Sequence, residues 1–348
     1  MKSLSLPPVL RPPCAELRRA RPLLGTLVEI TAGGASAARL ERAVARAFAA
    51  IEVVQARLSF HDPASDLARL NQAVPGEWVT VHPLSVAVLR HARALARASE
   101  GRFDAAVAPR LQSWGLLPRT CPTGRRPVAA RGSAGLEFAA GGRLRLPGPM
   151  ILDLGGLAKG YAVDRAVAVL RRAGVTRGLV NAGGDLRVLG EWTAPVQVRH
   201  PGQPGVFFAL GGVRDGALAT SALTYSARQW RGRVVGALVD PRTGQACGHG
   251  VSISVWARSA WLADGLTKVV ASAWAEGPGV KEAGGGREPG GAAQACGRVA
   301  TGGPAEARFS LTRLLVRYRA RAVVVAADGQ AEWLGAEAEP FLKQSHVA

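Results

Sequence analysis

Residues 153–164 read DLGGLAKGYAVD, and with their flanks they carry the clearest structural signal in the chain. They follow the apolar run 150–152, and paired glycines let a backbone turn sharply because they have no Cβ. Apolar residues at helical spacing continue through residues 158–172, and two strand-like runs, GLVNAG and DLRVLG, come next. The pattern predicts a strand, a glycine turn, a helix and two further strands, which together form a βαββ unit.

Two glycine pairs in this unit, 155–156 and 183–184, each stand beside an aspartate, Asp153 or Asp185. Backbone N–H groups in such turns, together with a helix N-terminus, bind phosphate well. Tight turns and a capping aspartate explain the glycines but not Lys159, because the helix dipole disfavours a cation in the first turn. The spacing matches neither G-x-G-x-x-G nor a P-loop. The unit therefore predicts a nucleotide site outside the standard dinucleotide and NTPase folds.

Hydrophobic periodicity outlines the rest of the chain. It predicts helices at 38–58, 83–99 and 259–274 and a strand at 24–31, and it leaves 102–118 irregular. Later segments are short β-rich runs separated by Gly, Pro and Asp, which is typical of antiparallel strands. We therefore expect an α+β fold built around the βαββ unit.

The length of 348 residues and the 48% hydrophobic content are enough for one large core. We expect residues 1–20 to form a proline-rich N-terminal tail and residues 21–348 to form a single domain. Within it, residues 277–307 are rich in glycine and poor in large apolar residues, which predicts a disordered insertion.

The formal charge is +19, with 44 Lys+Arg against 25 Asp+Glu. The arginines are scattered and not clustered with aromatic residues, so compositional bias is a better explanation than a nucleic-acid surface. Local groups at 18–21 and 313–321 keep nucleic-acid binding as a minor alternative, which steep salt dependence would reveal. We expect no nucleic-acid partner.

Cysteine usage and the N-terminal sequence both predict a cytoplasmic protein. The four cysteines form no C-x-x-C pair, which indicates neither a zinc site nor a disulfide framework. Prolines interrupt the N-terminus where a secretory signal needs an apolar run. No run approaches the ~20 apolar residues of a membrane span.

Two later motifs bring further polar chemistry. VDPRTG at 239–244 is turn-like, with Asp240 before a proline. SAWLADGLTK at 259–268 places Asp264 on a helix, one turn from Thr267 and Lys268. One carboxylate is too few for a dedicated metal site, so a magnesium ion is expected there only with nucleotide phosphates as further ligands.

In chain order, eight motifs resemble the ApbE family, the FAD:protein FMN transferases. They are LLGTLVEI, SFHDPASDLARLN, GRFDAAVAP with WG, LDLGGLAKGYAVDRA, LVNAGGDLRVLG, ATSA, VDPRTG and ADGLTK. The resemblance covers roughly residues 20–275, with a weaker match at 311–342.

The resemblance implies an ApbE-like, T-fold-related α+β fold that binds FAD with a magnesium ion. It implies transfer of FMN from FAD to a threonine or serine hydroxyl of an acceptor flavoprotein, of the redox-complex subunit type, with release of AMP. The residues it assigns to the flavin nucleotide are Gly25, Thr26, His61, Phe103, Asp104, Asp153, Gly155, Lys159, Asn181, Gly183, Gly184, Asp185, Thr220, Ser221 and Gly244. The catalytic residues it implies are Asp240 and Thr243, and the metal ligands are Asp264 and a main-chain carbonyl of Gly156 or Ala158. Two alternatives concern the next turn of the helix: either Thr267 ligates the metal through a small register shift, or Lys268 takes part in catalysis and reduces the metal requirement.

The chain departs from the family pattern at two positions that bear on chemistry. The usual histidine before D-P-x-T-G is replaced by Gly236 and Ala237, so the base for the acceptor hydroxyl is missing. Lys268 stands where the family has threonine, and an ammonium group cannot ligate a metal. An FAD-binding protein or an FAD pyrophosphatase therefore stays open as an alternative.

Overall fold

The structure is a computed structural model that describes residues 15–119, 132–203, 205–223, 227–275 and 304–335. The helices within this part of the chain are α1 (Ala37–Leu58), α2 (Asp66–Gln72), α3 (Pro83–Ala98), α4 (Ala108–Ser113), α5 (Ala158–Arg172), α6 (Ala260–Trp274) and α7 (Pro304–Arg317). The strands are β1 (Glu16–Leu23), β2 (Thr26–Gly33), β3 (Trp78–Thr80), β4 (Glu137–Ala139), β5 (Arg143–Arg145), β6 (Arg177–Ala182), β7 (Asp185–Leu189), β8 (Thr193–Arg199), β9 (Phe207–Arg214), β10 (Ala217–Ala222), β11 (Arg228–Trp230), β12 (Arg233–Val235), β13 (Val251–Ala257), β14 (Arg321–Ala326) and β15 (Ala331–Gly335).

Eight of these strands form one sheet in the order β1-β2-β6-β7-β10-β13-β14-β15. Every neighbouring pair in this sheet is antiparallel. The expectation of an α+β fold with mostly antiparallel strands is thereby confirmed. Helix α5 contacts both α1 and α6, and α6 packs on β10 and β13.

The main core lies between these helices and the sheet. Phe48 and Ile51 on α1, Val163 on α5, and Val180 on β6 belong to it and are almost fully buried. Burying a side chain of this size contributes about 1.5–3 kcal/mol. The β8–β9 hairpin carries smaller apolar clusters that pack against residues of the main sheet, such as Val188. The sheet is thus buried on both faces where it supports α5 and α6.

The predicted helices at 38–58, 83–99, 158–172 and 259–274 are confirmed to within one residue as α1, α3, α5 and α6. Their apolar faces are the buried faces, as the 3.6-residue period requires.

The first strand of the predicted βαββ unit is wrong, because residues 150–154 pair with no strand in the described part of the chain. Their backbone groups are satisfied differently. The amide side chain of Asn71 accepts from the Leu152 N–H and donates to the Leu152 carbonyl, both at 2.8 Å, and the Asp153 N–H donates to the Ala105 carbonyl at 2.7 Å. An apolar run buried in this way looks like a strand in sequence.

The N-terminal boundary also differs from prediction, because β1 begins at Glu16 inside the predicted tail. Arginines at 18, 19 and 21 make this strand look unlike β-structure, but each is paired with a glutamate of β2 or α1. The predicted strand at 24–31 begins later than expected, at Thr26, because Leu24 and Gly25 form a turn with positive φ before β2. Two consecutive positive φ values suit a tight hairpin.

Two further boundaries changed. Residues 108–113, predicted as irregular, form α4, with Pro109 in its first turn where proline is tolerated. Residues 304–307 of the predicted insertion begin α7, whereas residues 277–303 lie outside the described residues. In the described part of the chain, no helix is long and apolar enough to cross a membrane.

Candidate functional site

A cluster of charged side chains lies where the N-terminus of α5 meets α6. The start of β7 and the end of β10 border the same place. Its members are three carboxylates, Asp153, Asp185 and Asp264, and two lysines, Lys159 and Lys268. Asp264 and Asp185 are buried, whereas the side chains of Lys159 and Lys268 are 33% and 19% exposed. The cluster therefore joins two partly exposed lysine side chains to buried carboxylates.

The N-terminus of α6 is held by α5. Asp164 on α5 accepts hydrogen bonds from the N–H groups of Ala260 and Trp261, both at 3.0 Å, and also pairs with Arg187. The residue expected at the cap by position, Ser259, makes no side-chain cap bond. A carboxylate at a helix N-terminus satisfies free N–H groups and complements the dipole. Asp164 therefore fixes the helix that carries Asp264 and Lys268.

Replacing Asp164 with alanine should lower the free energy of unfolding by about 2–3 kcal/mol, because the buried N–H groups and Arg187 lose a charged partner. Asp164→Asn keeps one acceptor oxygen and should lose less. Urea denaturation followed by circular dichroism measures both variants. Equal stability of wild type and Asp164→Ala would show that α6 is held by something else.

Lys159 in the first turn of α5 forms an ion pair with Asp185 at the start of β7. Partial burial opposes the charge, but the carboxylates of Asp185 and Asp264 raise the pKa of Lys159 above its ordinary value. The attraction of these carboxylates offsets the unfavourable interaction between a cation and the positive end of the α5 dipole. Lys159 remains protonated at neutral pH.

Asp264 faces the N-terminus of α5 as predicted. Its Oδ2 accepts from the Gly160 N–H at 3.3 Å, and its Oδ1 pairs with Lys268 one turn further along α6. Lys268 Nζ also donates to Ser221 Oγ on β10 at 3.2 Å. Asp264, on α6, thus accepts a hydrogen bond from α5 and pairs with Lys268 of its own helix. Lys268 in turn connects it to β10 in the sheet.

Neighbouring charges set the titration of the carboxyls. Burial raises the pKa of Asp153, and burial together with the Asp264 charge raises the pKa of Asp185 against the opposing effect of Lys159. Burial also favours the neutral form of Asp264, but Lys159 and Lys268 outweigh it and lower the pKa. Of the three carboxyl groups, Asp264 is therefore the one that stays ionised to the lowest pH.

The glycine turns border this cluster. A Cβ added at Gly156 would lie 3.4 Å from Lys268 Cε and 3.5 Å from the Phe103 ring. The second turn is closed by Asn181 Oδ1, which accepts from the Gly184 N–H at 3.0 Å. A Cβ at Gly183 would lie 2.4 Å from Thr26 Oγ1, so the turn at 24–25 and the turn at 183–184 are adjacent.

His61 lies near the other side of Asp153, since its charge opposes the rise in the Asp153 pKa. Together with Phe60 and Asn71 it lines a cavity of ≈ 60 Å³. Because Asn71 also holds the Leu152 backbone, the cavity opens close to the glycine corner. The structure therefore brings together the predicted residues of the 150–187 segment, His61, Phe103, Ser221 and Asp264.

Two predicted residues, Asp104 and Thr220, make contacts that do not suit their expected roles. Asp104 Oδ1 accepts from the N–H groups of Ala106 and Ser133, at 2.8 and 2.7 Å, so it closes a local turn. The Thr220 hydroxyl bonds to Ser254 at 2.8 Å in the sheet, and alternation puts it on the face opposite Ser221.

Thr267, predicted as a metal ligand, is fully buried. Its hydroxyl donates to the Asp264 carbonyl at 2.7 Å and lies 2.8 Å from Ser221 Oγ. The hydroxyl therefore donates its one proton to α6 and contacts the sheet from a buried position. The role of Thr267 as a metal ligand stays a prediction.

The VDPRTG segment is a closed turn. Asp240 is 2% exposed, its Oδ2 accepts from the Thr243 hydroxyl at 2.9 Å, and its Oδ1 accepts from Ser272 on α6 at 2.8 Å. A Cβ at Gly244 would lie 2.6 Å from the Arg110 guanidinium. These contacts give Asp240 a structural role and attach the turn to α6, and the catalytic roles of Asp240 and Thr243 stay predictions.

Sequence reasoning missed Asp164 and the contact made by Gly160. A Cβ at Gly160 would lie 2.3 Å from the Ala260 carbonyl oxygen, so α5 and α6 touch backbone to backbone there. The signal was present as Gly160 and Asp164 one turn apart on the same helix face. Nothing local in the sequence names α6 as the partner.

The arrangement is suited to binding an anion. Two ammonium groups, a helix N-terminus and two glycine turns converge, and all three features attract phosphate. The buried carboxylates orient the lysine side chains, and they do not lie at the surface, where they would repel an anion. A diphosphate is the ligand that such a pair of cations and turns fits best.

A family model described as the ApbE family matches residues 24–278. The chain is 32% identical over 272 residues to the FAD:protein FMN transferase of Rhodobacter capsulatus, covering 74% of this chain and 51% of that protein. It is 28% identical over 230 residues to the FAD:protein FMN transferase of Vibrio cholerae, covering 62% of this chain and 69% of that one. The match thus spans about half the length of the Rhodobacter protein.

Solved structures share the fold. The ApbE protein of Thermotoga maritima superposes with a TM-score of 0.71 at 23% identity, covering 92% of this chain and 96% of that chain. The flavinyl transferase ApbE of Pseudomonas stutzeri, in its apo form, gives a TM-score of 0.68 at 21% identity, with coverages of 92% and 94%.

Proposed function

Because this chain belongs to the ApbE family, we propose that it is a flavin transferase that moves FMN from FAD to a hydroxyl group of an acceptor protein. The observation that carries the proposal is the pair of ammonium groups, Lys159 and Lys268, at the N-terminus of α5 beside two glycine turns. This is a site for the diphosphate that joins the two halves of FAD.

In the proposed reaction, the oxygen of a serine or threonine hydroxyl forms a bond to the phosphorus on the FMN side of the diphosphate. The bond from that phosphorus to the bridging oxygen breaks, and AMP leaves with the electron pair. The hydroxyl proton passes to a base or to water. Phosphoryl transfer of this kind depends mainly on positioning and on neutralising charge on the phosphate oxygens.

The residues present divide this work. Lys159 and Lys268 neutralise the diphosphate, and Asp185 and Asp264 orient them. The exposed corner at 155–156 lets the diphosphate approach the backbone, because a side chain there would point at Lys268 and Phe103.

The resemblance also implies a magnesium ion, but the residues present do not fit a resident one. Both oxygens of Asp264 accept hydrogen bonds, and the Thr267 hydroxyl is engaged. Among the described residues, no group of three or more His, Cys, Asp or Glu side chains is arranged to hold a metal. The proposed reaction therefore has no step through magnesium.

The second candidate is an FAD-binding or FAD-hydrolysing relative, favoured by Gly236 and Ala237 where the family carries a histidine. This candidate is also supported by Asp240, whose two oxygens already accept hydrogen bonds within the turn and from α6. In hydrolysis, water would attack in place of the protein hydroxyl.

One assay separates these candidates. Purified protein is mixed with FAD and a candidate acceptor flavoprotein, and the products are resolved by denaturing gel and chromatography. A fluorescent acceptor band with released AMP is the result we expect, and an acceptor whose target hydroxyl residue is replaced by alanine should stay dark. AMP with free FMN would indicate hydrolysis. Unchanged FAD would indicate a protein that binds FAD without converting it.

A further inference from the structure

We propose that the Lys268 ammonium group is the resident cation of this site, in place of a divalent metal, so that the chain binds the FAD diphosphate without magnesium. The inference rests on the proposed function, because it presumes that FAD is the ligand. It deepens that function by stating what neutralises the diphosphate.

The position of Lys268 supports this role. Its Nζ pairs with Asp264 Oδ1 and lies 3.2 Å from Ser221 Oγ, so it bridges α6 and β10. Its stem passes Gly156, where a Cβ would lie 3.4 Å from Cε. The ammonium group therefore stands at the glycine corner, where a phosphate oxygen would need a positive charge.

The same contacts occupy both carboxylate oxygens of Asp264, the predicted side-chain metal ligand. Asp264 is fully buried, and Lys268 covers one carboxylate oxygen while the Gly160 N–H occupies the other. A divalent ion binding Asp264 would have to displace Lys268, leaving that ammonium without its carboxylate partner. Separating a buried pair is costly.

A lysine can do the electrostatic part of a cation's work. An ammonium group is a compact positive charge that binds phosphate through up to three N–H donors. Lys159, paired with Asp185 on the neighbouring strand, supplies a second such charge. Two ammonium groups thus face the diphosphate from α5 and from α6.

The first test needs no variant. FAD affinity of the purified wild-type protein is measured by quenching of flavin fluorescence, once in excess EDTA and once in excess MgCl₂. We expect the two dissociation constants to agree within about threefold. If FAD binds in MgCl₂ but more than about tenfold more weakly in EDTA, the inference is overturned and the proposed function stands. If FAD binds in neither, the proposed function itself fails.

The second test restores a threonine. Lys268→Thr should weaken FAD binding in EDTA by about tenfold or more, since charge-assisted bonds to phosphate are lost, and MgCl₂ should recover most of it. Arg258→Thr removes the same charge from an exposed position between β13 and the start of α6, and should behave as wild type. Equal EDTA affinity of Lys268→Thr and Arg258→Thr would contradict the inference.

Binding of Mn²⁺ alone gives an independent readout. Electron paramagnetic resonance of free Mn²⁺ should show no uptake by the wild-type protein and uptake by Lys268→Thr, whose Asp264 carboxylate is then uncovered. Circular dichroism verifies that the variant is folded. Tight Mn²⁺ binding by the wild-type protein would overturn the proposal.

Discussion

Asp264→Ala is expected to reduce FMN transfer by about 100-fold or more and to lower the free energy of unfolding by about 3–5 kcal/mol. Asp264 is fully buried and joins the Gly160 N–H of α5 to the Lys268 ammonium of α6. Its removal leaves the Lys268 ammonium without its carboxylate partner and the Gly160 N–H without an acceptor, so Lys268 is free to leave the diphosphate. Misplacement of a charged group by about 1 Å is enough for a loss of this size.

Two measurements check this prediction. Urea denaturation gives the stability, and the rate of acceptor labelling below the unfolding midpoint gives the activity. Glu52→Ala is the matched control, because Glu52 is an exposed carboxylate on α1 paired with Arg21, and such pairs contribute about 0–1 kcal/mol. An Asp264→Ala protein as stable and as active as the Glu52 variant would remove Asp264 from the site.

Gly160→Ala is expected to cost about 3 kcal/mol of stability, near the top of the range for overpacking, and to reduce FMN transfer by about 100-fold. The added Cβ would lie 2.3 Å from the Ala260 carbonyl oxygen and 2.7 Å from Trp261 Cα. Backbone atoms cannot rotate away as a side chain can. The helices α5 and α6 must separate, and Asp264 then moves relative to Lys159.

The control for this change is Gly148→Ala, where an added Cβ has no heavy atom within 4 Å. There the substitution should be neutral or slightly stabilising, since alanine restricts the unfolded chain. The two variants are compared by their urea midpoints and by FAD-binding affinity. If Gly160→Ala behaves like Gly148→Ala, the close crossing of α5 and α6 does not position the site.

Local pattern predicted the helices because their burial follows the 3.6-residue period, as α1 and α5 illustrate. It failed where backbone bonds are satisfied by distant partners. Residues 150–154 looked like a strand, but Asn71, some 80 residues earlier, takes the place of the neighbouring strand. Strand β1 was missed because its arginines are balanced by glutamates that only the fold brings near.

The candidate site likewise has a part that the sequence predicts and a part that only the fold determines. The glycine pairs, Lys159 and Asp185 are close in sequence, so their convergence could be predicted, and the family resemblance added Asp264. Bonding directions could not be predicted. That Ser221 faces Lys268 while Thr220 faces Ser254 depends on the register of β10 against β13. That Asp164 caps α6 depends on the crossing at Gly160.

The central claim is that the FAD diphosphate lies at the corner formed by the N-terminus of α5 and by α6. A crystal structure of the wild-type protein grown with FAD and without added divalent metal tests it most directly. The account predicts density for the diphosphate within hydrogen-bonding distance of Lys159 and Lys268, beside residues 155–156. Density for FAD elsewhere on the protein, with these lysines still bonded only to their aspartates, would contradict it.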